Sequence, residues 1–454
     1  MADIKSKLPS DFFDYMKNTL RQDYDEYEAL IDEEAFRGLR VNRLKISDDE
    51  LKKLLKIDMN KTPFCDNGYY IDNSIAGLGN NPLHHAGAFY LQEPSAMSAV
   101  TALDVRSDDF VLDLCAAPGG KSTQIAEKLS NEGLLVSNEI VAQRARILAS
   151  NIERLGITNA VVTNSSSDVL CSELSGFFDK VLVDAPCSGE GMLRREENAV
   201  KEWQLSNHEM CKIRTESILD NAAMALKIGG ILVYSTCTLS AEENEQTIAE
   251  FVKRHPEFEL EEISTPFGRK AYNWLCDNGD IEKARRILYM DGGEGHFVAR
   301  LKKNALSDEF CYVDLYKNAD KVPIAEQFLS DNFIMSDELH RLHLINDNVY
   351  IYPENCPVLN KIRIVKCGVL AGKIIKNRFE PAHDLYISRN STQVKNIVDF
   401  DVDSSEILKF LHGDVIPCDK KGYVAVAVNG IITGFGKASG GQLKNHYPKG
   451  LRIL

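Results

Sequence analysis

The 454-residue sequence has no stretch approaching the roughly 18 apolar residues that a membrane-spanning helix needs. Its first residues, MADIKSKLPSDFFDYM, lack the apolar core of a signal peptide, so a cytoplasmic protein without a membrane partner is expected. No C-x-x-C pair occurs among the 11 cysteines, so nothing supports a zinc ribbon or a thioredoxin-type site, and no metal is expected. An odd number of cysteines in a long chain without a signal segment also speaks against a disulfide framework. Most of them should be small buried hydrophobes. The chain lacks positive charge overall: 53 basic residues face 67 acidic ones, a net charge of −14. That balance excludes a generally basic nucleic-acid binder and leaves only local patches for any such contact. Long internal repeats and low-complexity tracts are absent as well.

What is present is uneven in charge and in pattern. Residues 1–90 carry 12 basic and 16 acidic groups, whereas the last 43 residues, from His412, carry 6 and 2. The first 90 residues mix an acidic helical start with a strand-like GLRVNRLKI and a turn-rich stretch ending FYLQEPSAM. From about 107, short apolar runs alternate with helical patterns. FVLDL, LLVSNE, AVVT, KVLVDA, GILVYST and GHFVARL read as strands. GGKSTQIAEKL, AQRARILASNIERLG, a stretch within 206–227 and one from about 241 to 254 read as helices. This alternation predicts an α/β fold with a parallel sheet covered on both faces. After 303, NVYIYP and KIRIVKCGVLAGKII read as strands. GYVAVAVNGIITGFGKA reads as a hairpin turning at Asn429-Gly430, within a small β-rich domain.

The stretch VLDLCAAPGGKST at 111–123 places a small-residue loop between a strand and a helix. Glycines allow close approach of backbone to a ligand, and the new helix offers free N–H groups. Gly120-Lys121-Ser122 copies the end of a triphosphate-binding loop. That motif needs glycine five residues before Gly120, where Cys115 stands, so it is rejected; nor is the loop a G-x-G-x-x-G. Glu139 lies 20 residues after Gly119 at the end of the next strand, where doubly wound folds hold a ribose diol. Arg144, one turn into the following helix, is a flanking candidate.

Two further strands each end near a cysteine. VLVDAPCSGEG holds Asp184 and Cys187, and LVYSTCTL holds Cys237. In an open sheet both would face the crevice where ligands bind. Methyl transfer onto carbon 5 of a pyrimidine gives two such thiols a purpose. One thiolate adds to carbon 6 and pushes charge onto carbon 5, and a second group assists the later elimination.

DLCAAPGGKST, VDAPCSGEG and YSTCTL together resemble the Sun/Fmu family of RNA cytosine carbon-5 methyltransferases. FYLQEPSAM at 89–97 and the tail from KNRFEPAHDL resemble its RsmF-type branch. The resemblance spans nearly the whole chain. It implies S-adenosyl-L-methionine as cofactor and cytosines of 16S rRNA in the small ribosomal subunit as substrate. It implies Cys237 as nucleophile and Cys187 as the residue that helps release product. Cofactor contacts implied by similarity are Cys115, Ala116, Ala117, Pro118, Gly119, Gly120, Lys121, Glu139 and Asp184, with Lys121 also near the reacting centre. Many relatives carry an adenine-binding aspartate where Ser166 stands here; Asp168 is two residues on, and this contact is left unassigned.

LRVNRLK at 39–45 resembles the family's RNA-contacting N-terminal segment, with Arg40 and Asn42 as expected contacts. Arg194 and Arg195 follow the Pro-Cys loop and could grip phosphates near the target base. The expected organisation is an N-terminal RNA-binding extension at 1–90, a Rossmann-like catalytic domain at 91–302, an intermediate α+β region at 303–387 and a PUA-like RNA-binding domain at 388–454. Other readings are methylation of tRNA or another structured RNA, a DNA cytosine methyltransferase, and a non-catalytic ribosome-assembly binder. The DNA enzyme would ask for a Glu-Asn-Val motif that the sequence lacks. The binder would show a damaged cofactor loop or a lost cysteine, and neither is seen.

Overall fold

A computed structural model describes residues 4–304, 313–334 and 337–453. Residues 305–312 and 335–336 of the expected intermediate region lie outside the described residues. The chain opens with helix α1 (Ser10–Leu20), followed by a small antiparallel sheet containing β1 (Arg37–Val41), β2 (Gly68–Ile71) and β3 (Phe89–Leu91). Strand β1 lies between the other two.

The strand–helix alternation read from 107 onward forms the centre of the molecule. It runs β4 (Phe110–Asp113), α2 (Gly120–Lys128), β5 (Leu134–Asn138), α3 (Ala142–Arg154), β6 (Ala160–Asn164), β7 (Phe178–Asp184), α4 (Ser206–Ala225), β8 (Leu226–Thr236) and β9 (His296–Lys303). Strands β6, β5, β4, β7 and β8 pair in parallel in that spatial order, and β9 closes antiparallel against β8. Successive residues of one strand enter opposite cores, as the alternation of Cβ directions requires. Leu112, Val136 and Val181 pack with Leu219 and Ala222 of α4. Val111, Leu135 and Leu182 pack with Ile125 of α2 and Leu148 of α3. The strands therefore read as continuous apolar runs, because both faces are covered. After β4 the chain first builds one side of the sheet and then, from β7, the other. The switch point thus lies between β4 and β7, and the crevice beyond their carboxyl ends is the ligand position of such folds.

The region after 303 divides differently from a single run of strands. Residues 363–367 form β10, which adds antiparallel to β6 and extends the central sheet. The chain then breaks at Gly368, at φ +54°, where a Cβ would lie 2.1 Å from the Ile351 carbonyl oxygen. Residues 369–375 consequently leave for a separate four-stranded sheet. Near the end, β11 (Gly422–Val428) and β12 (Ile431–Ser439) form the hairpin expected at Asn429-Gly430. Both turn residues have positive φ, 45° and 82°. The hairpin belongs to a five-stranded sheet, the β-rich C-terminal domain.

Candidate active site

The loop after β4 is fixed from several sides. Leu114 N–H donates to the Leu182 carbonyl at 3.0 Å and Ala116 N–H to the Asn138 carbonyl at 2.8 Å, which ties the loop to both neighbouring strands. Gly119, at φ +114°, turns the chain into α2, a backbone conformation that favours glycine. Arg40 reaches across from β1. Its guanidinium donates to the Gly120 carbonyl at 2.7 Å, Gln92 Oε1 at 2.6 Å and Thr123 Oγ1 at 2.7 Å.

Beside the loop lies a cavity of about 680 Å³, a volume ordinary for a small-molecule site. Its wall includes Cys115, Glu139, Arg144, Asp184, Cys187 and Cys237. Glu139 is buried; its Oε1 accepts the Val141 N–H at 2.8 Å and its Oε2 lies 3.3 Å from Arg144 Nη1. Arg144 also donates to the Ala117 carbonyl at 2.8 Å, so it bridges the loop and the acid. Ile140 and Val141 add apolar surface to the same wall, and both remain well exposed. Ser165, Ser166 and Ser167 line the cavity, whereas Asp168 does not.

A second cavity, of about 200 Å³, joins the loop to Tyr90, Gln92 and Glu93 from the N-terminal sheet. Asp113 lines it. One carboxylate oxygen of Asp113 accepts Ser122 Oγ–H at 2.7 Å, and the other is buried with no hydrogen-bond partner. Burial pushes this carboxyl up to about 7. An orphaned buried oxygen beside this loop fits a ligand that carries its own donors. Asp113 was not singled out from the sequence, although an acid at a strand end directly before a small-residue loop is a usable signal.

The residues expected to react converge at the carboxyl ends of β7 and β8. Lys121 Nζ donates to Asp184 Oδ2 at 2.8 Å, and Ser235 Oγ donates to Asp184 Oδ1 at 2.7 Å. Burial opposes the charge on Lys121, but Asp184 outweighs it and holds the ammonium above its ordinary range. The sulfurs of Cys187 and Cys237 lie 3.2 Å apart. The hydrogen bond with Cys237, with burial second, pushes the Cys187 thiol well above the usual range. Gly191 N–H donates to the Cys237 carbonyl at 2.8 Å, joining the two cysteine loops. A Cβ on Gly191 would lie 2.3 Å from the Gly295 carbonyl oxygen, so only glycine permits this approach.

Buried acids flank these loops. Glu190 accepts Trp203 Nε1–H at 2.8 Å and bonds His208 Nε2 at 2.7 Å. Glu245 pairs with Arg286, neither side chain being exposed, and Arg286 also caps the Leu239 carbonyl at 2.9 Å. Glu190, His208 and Glu243 come close enough to share a cation. Both oxygens of Glu190, however, already meet N–H or O–H groups, so the set is a hydrogen-bonded one. In the sequence GEGM and SAEENE look like solvated acidic stretches, and nothing in their spacing signals burial.

Three expected RNA contacts are corrected by their surroundings. Arg40, 1% exposed, is spent on the loop that follows β4. Asn42, 3% exposed, donates to the Gly87 and Leu155 carbonyls at 2.8 and 3.0 Å. The Arg194 side chain is 2% exposed; it forms a bidentate pair with Glu294 at 2.7 and 2.8 Å and lies over the Tyr289 ring. None of the three is offered to a phosphate. Arg195 is exposed and donates to the Phe36 carbonyl at 2.9 Å.

A doubly wound sheet with a glycine loop, an acid at the end of its second strand and a ligand cavity at the switch point defines a Rossmann-like methyltransferase. Family models give the particular kind. The 16S rRNA methyltransferase RsmB/F model matches residues 100–302, and the N-terminal domain of 16S rRNA methyltransferase RsmF matches 8–94. The RsmF first C-terminal domain matches 327–388 and the RsmF PUA domain 398–453. Ribosomal RNA small subunit methyltransferase F of Vibrio vulnificus strain YJ016 is 34% identical, over 98% of this chain and 97% of its own. The protein of the same name from Photobacterium profundum is 33% identical over 98% of each. A methyltransferase homolog protein from Pyrococcus horikoshii is 29% identical, with a TM-score of 0.59 over 67% of this chain and 99% of its own. NSun6 from Pyrococcus horikoshii, solved with SFG, shares the fold at a TM-score of 0.58 and 23% identity, over 65% of this chain and 98% of its own. The chain belongs to the RsmF family of 16S rRNA methyltransferases. It is an RNA-binding enzyme that methylates rRNA, and its methyl donor is S-adenosylmethionine.

Proposed function

We propose that this protein methylates carbon 5 of cytosine in 16S rRNA through a covalent adduct with Cys237. The observation that carries the proposal is the 3.2 Å approach of two cysteine sulfurs beside the Lys121–Asp184 pair and the ligand cavity. One reactive thiol suffices for many enzymes, but addition and elimination on one pyrimidine ring give work to two.

Residues 115–121 cradle the cofactor, Glu139 holds its ribose hydroxyls and Arg144 steadies Glu139. The apolar surface of Ile140 and Val141 fits the face of its flat base. Asp113 accepts donors from its polar tail. When bound, the cofactor supplies an electrophilic methyl group on sulfur. Cytosine leaves its stack to reach the thiols, at a cost of about a few kcal/mol, which favours an unpaired or weakly paired target.

The Cys237 thiolate forms the S–C6 bond while Asp184 receives the amino edge of the base and Lys121 keeps Asp184 in place. Carbon 5, now electron-rich, takes the methyl group. The carbon-5 proton then passes to solvent water in the crevice, the C5–C6 double bond returns, and the S–C6 bond breaks to release Cys237. Cys187 assists this last step from its position against the Cys237 sulfur. Arg195 and the C-terminal domain hold the surrounding RNA.

Mapping 5-methylcytosine across small-subunit RNA from cells with and without the protein tests the reading. Loss of one or more 5-methylcytosines from 16S rRNA is expected. Loss confined to tRNA would move the substrate, and methyl groups found at another atom of the base would overturn the chemistry.

A further inference from the structure

The residues that follow the two cysteines, Ser188 and Thr238, have hydroxyls 2.8 Å apart. Two fully buried carboxyl groups meet them. Glu243 Oε1 bonds Ser188 Oγ, and Glu190 Oε2 bonds Thr238 Oγ1 and lies 2.8 Å from Ser188 Oγ. Glu243 Oε2 accepts the Ser188 N–H at 3.1 Å, and Thr238 Oγ1 accepts the Ser240 N–H at 3.1 Å. The peg formed by these four side chains joins the Pro-Cys loop to the Thr-Cys loop directly behind the sulfurs.

Counting hydrogens assigns charge within the peg. Four contacts join these oxygens: Glu243–Ser188, Ser188–Thr238, Thr238–Glu190 and Ser188–Glu190. Each contact between oxygens needs a hydrogen. The two hydroxyls supply one each; with the Ser188 hydrogen shared between Thr238 and Glu190, the Glu243–Ser188 contact still lacks one, which a protonated carboxyl group supplies. Glu190 already faces the Trp203 and His208 N–H groups, which favour its charged form. The extra hydrogen therefore belongs to Glu243. The donors then run from Glu243 to Ser188, from Ser188 to Thr238 and the neighbouring Glu190 oxygen, and from Thr238 to the Glu190 carboxylate. Burial, which pushes Glu243 up to about 7, agrees with this assignment.

We infer that Glu243 is a positioning residue for methyl transfer, acting as a neutral carboxylic acid whose proton, donated to Ser188, holds the two cysteine loops in register. The inference rests on the two cysteines being the reacting pair. Ionised Glu243 would leave the Ser188 contact one hydrogen short and set a second negative charge beside Glu190. The titratable and charged groups around it are Glu190 on the Pro-Cys loop, Glu242 next to it in the chain, His208 and Cys211 of α4 with Arg214 behind them, Tyr234 of β8 and Cys187. Of these, Tyr234 donates to the Glu243 backbone carbonyl at 2.6 Å.

The test compares wild type, Glu243→Gln and Glu243→Ala in the full chain. Methyl transfer from tritiated S-adenosylmethionine to small-subunit RNA is measured at saturating substrates from pH 6 to 9.5. A glutamine amide donates to Ser188 Oγ at every pH while its oxygen keeps the Ser188 N–H. The ratio of the Glu243→Gln rate to the wild-type rate should rise through about pH 7, approaching tenfold per unit, because only the wild type loses its donor. Glu243→Ala should lose about tenfold or more at pH 6, where the wild type keeps its proton, and the gap should close as pH rises, with cofactor binding retained. A flat ratio, or full activity in Glu243→Ala at pH 6, overturns the inference. Full activity in Cys237→Ala would instead overturn the reading of the cysteines, so the two failures are distinguishable.

Discussion

The sulfur of Cys187 lies 3.2 Å from that of Cys237, at the ends of adjacent parallel strands, with Lys121 and Asp184 lining the same crevice. The family resemblance assigns addition to Cys237 and elimination to Cys187, and on that assignment the two cysteines should fail differently. Cys237→Ala should bind RNA and cofactor yet transfer no methyl group and form no adduct. Cys187→Ala should methylate once and stall, leaving RNA attached to protein as a slow, ribonuclease-sensitive band on a denaturing gel. A band from Cys237→Ala, and none from Cys187→Ala, would reverse the roles.

The Glu190–His208 pair makes stability depend on pH in both directions. Burial opposes the charge on Glu190, but His208, Thr238 and Ser188 hold it down at about 2. His208 is held above its ordinary value, burial again being overcome by Glu190. A carboxyl group lowered on folding stabilises above its unfolded pKa, and that contribution fades as pH falls toward 2. An imidazole raised on folding stabilises below its unfolded pKa, and that contribution fades as pH rises through the raised value. The pair should thus contribute most between about pH 4.5 and 6.5, the ordinary values of the two groups. Urea unfolding of wild type and His208→Gln at pH 5.5 and pH 9 checks this. The gap between them should narrow at pH 9; an unchanged gap would mean that the charge on His208 contributes nothing.

The strand–helix alternation was legible because both sheet faces are buried, which leaves unbroken apolar runs such as Val181–Val183 in the sequence. The loop at 115–121 and Glu139 were legible because their spacing is local. Arg40, Asn42 and Arg194 were misread because their partners are remote. Glu294, which pairs with Arg194, is 100 residues away, and an arginine satisfied inside the fold has the same letter as one facing RNA. The buried peg of Glu190 and Glu243 was invisible for the same reason. Strand β10 was seen as a strand but not as part of the central sheet, since only the turn at Gly368 decides which sheet it joins.

The Arg286–Glu245 pair should dominate the stability of the Thr-Cys loop. Both groups are fully buried, and Arg286 alone ties Glu245 to the Leu239 carbonyl. Removing one partner leaves an unpaired buried charge, which costs about 3–5 kcal/mol, whereas removing both with well-packed apolar replacements is often nearly neutral. Glu245→Leu should therefore unfold at much lower denaturant than wild type. The double variant Glu245→Leu/Arg286→Leu should recover much of the loss. Equal destabilisation by the single and double variants would mean that packing, not charge, is at stake.

The RNA-holding role of the C-terminal domain is best tested by charge, not by deletion. Tyr386 stacks on Phe435 with ring centroids 4.4 Å apart, so cutting the chain near 388 would strip apolar surface from the remainder. Lys420, Lys421, Lys437 and Lys444 are exposed on the terminal sheet and its connecting loops, and replacing them leaves that core intact. Each lysine that neutralises a phosphate releases counterions, and contributes about 0.7–0.9 to the slope of log affinity against log salt. Substituting all four with glutamine should weaken binding to small-subunit RNA and flatten that slope by about 3–3.5, with cofactor affinity unchanged. The measurement is RNA binding by filter retention across about 50–300 mM salt, the range in which phosphate contacts are lost. An unaltered slope would place the RNA on another face, and Arg195→Gln, beside the Pro-Cys loop, would then be the next variant to lose salt dependence.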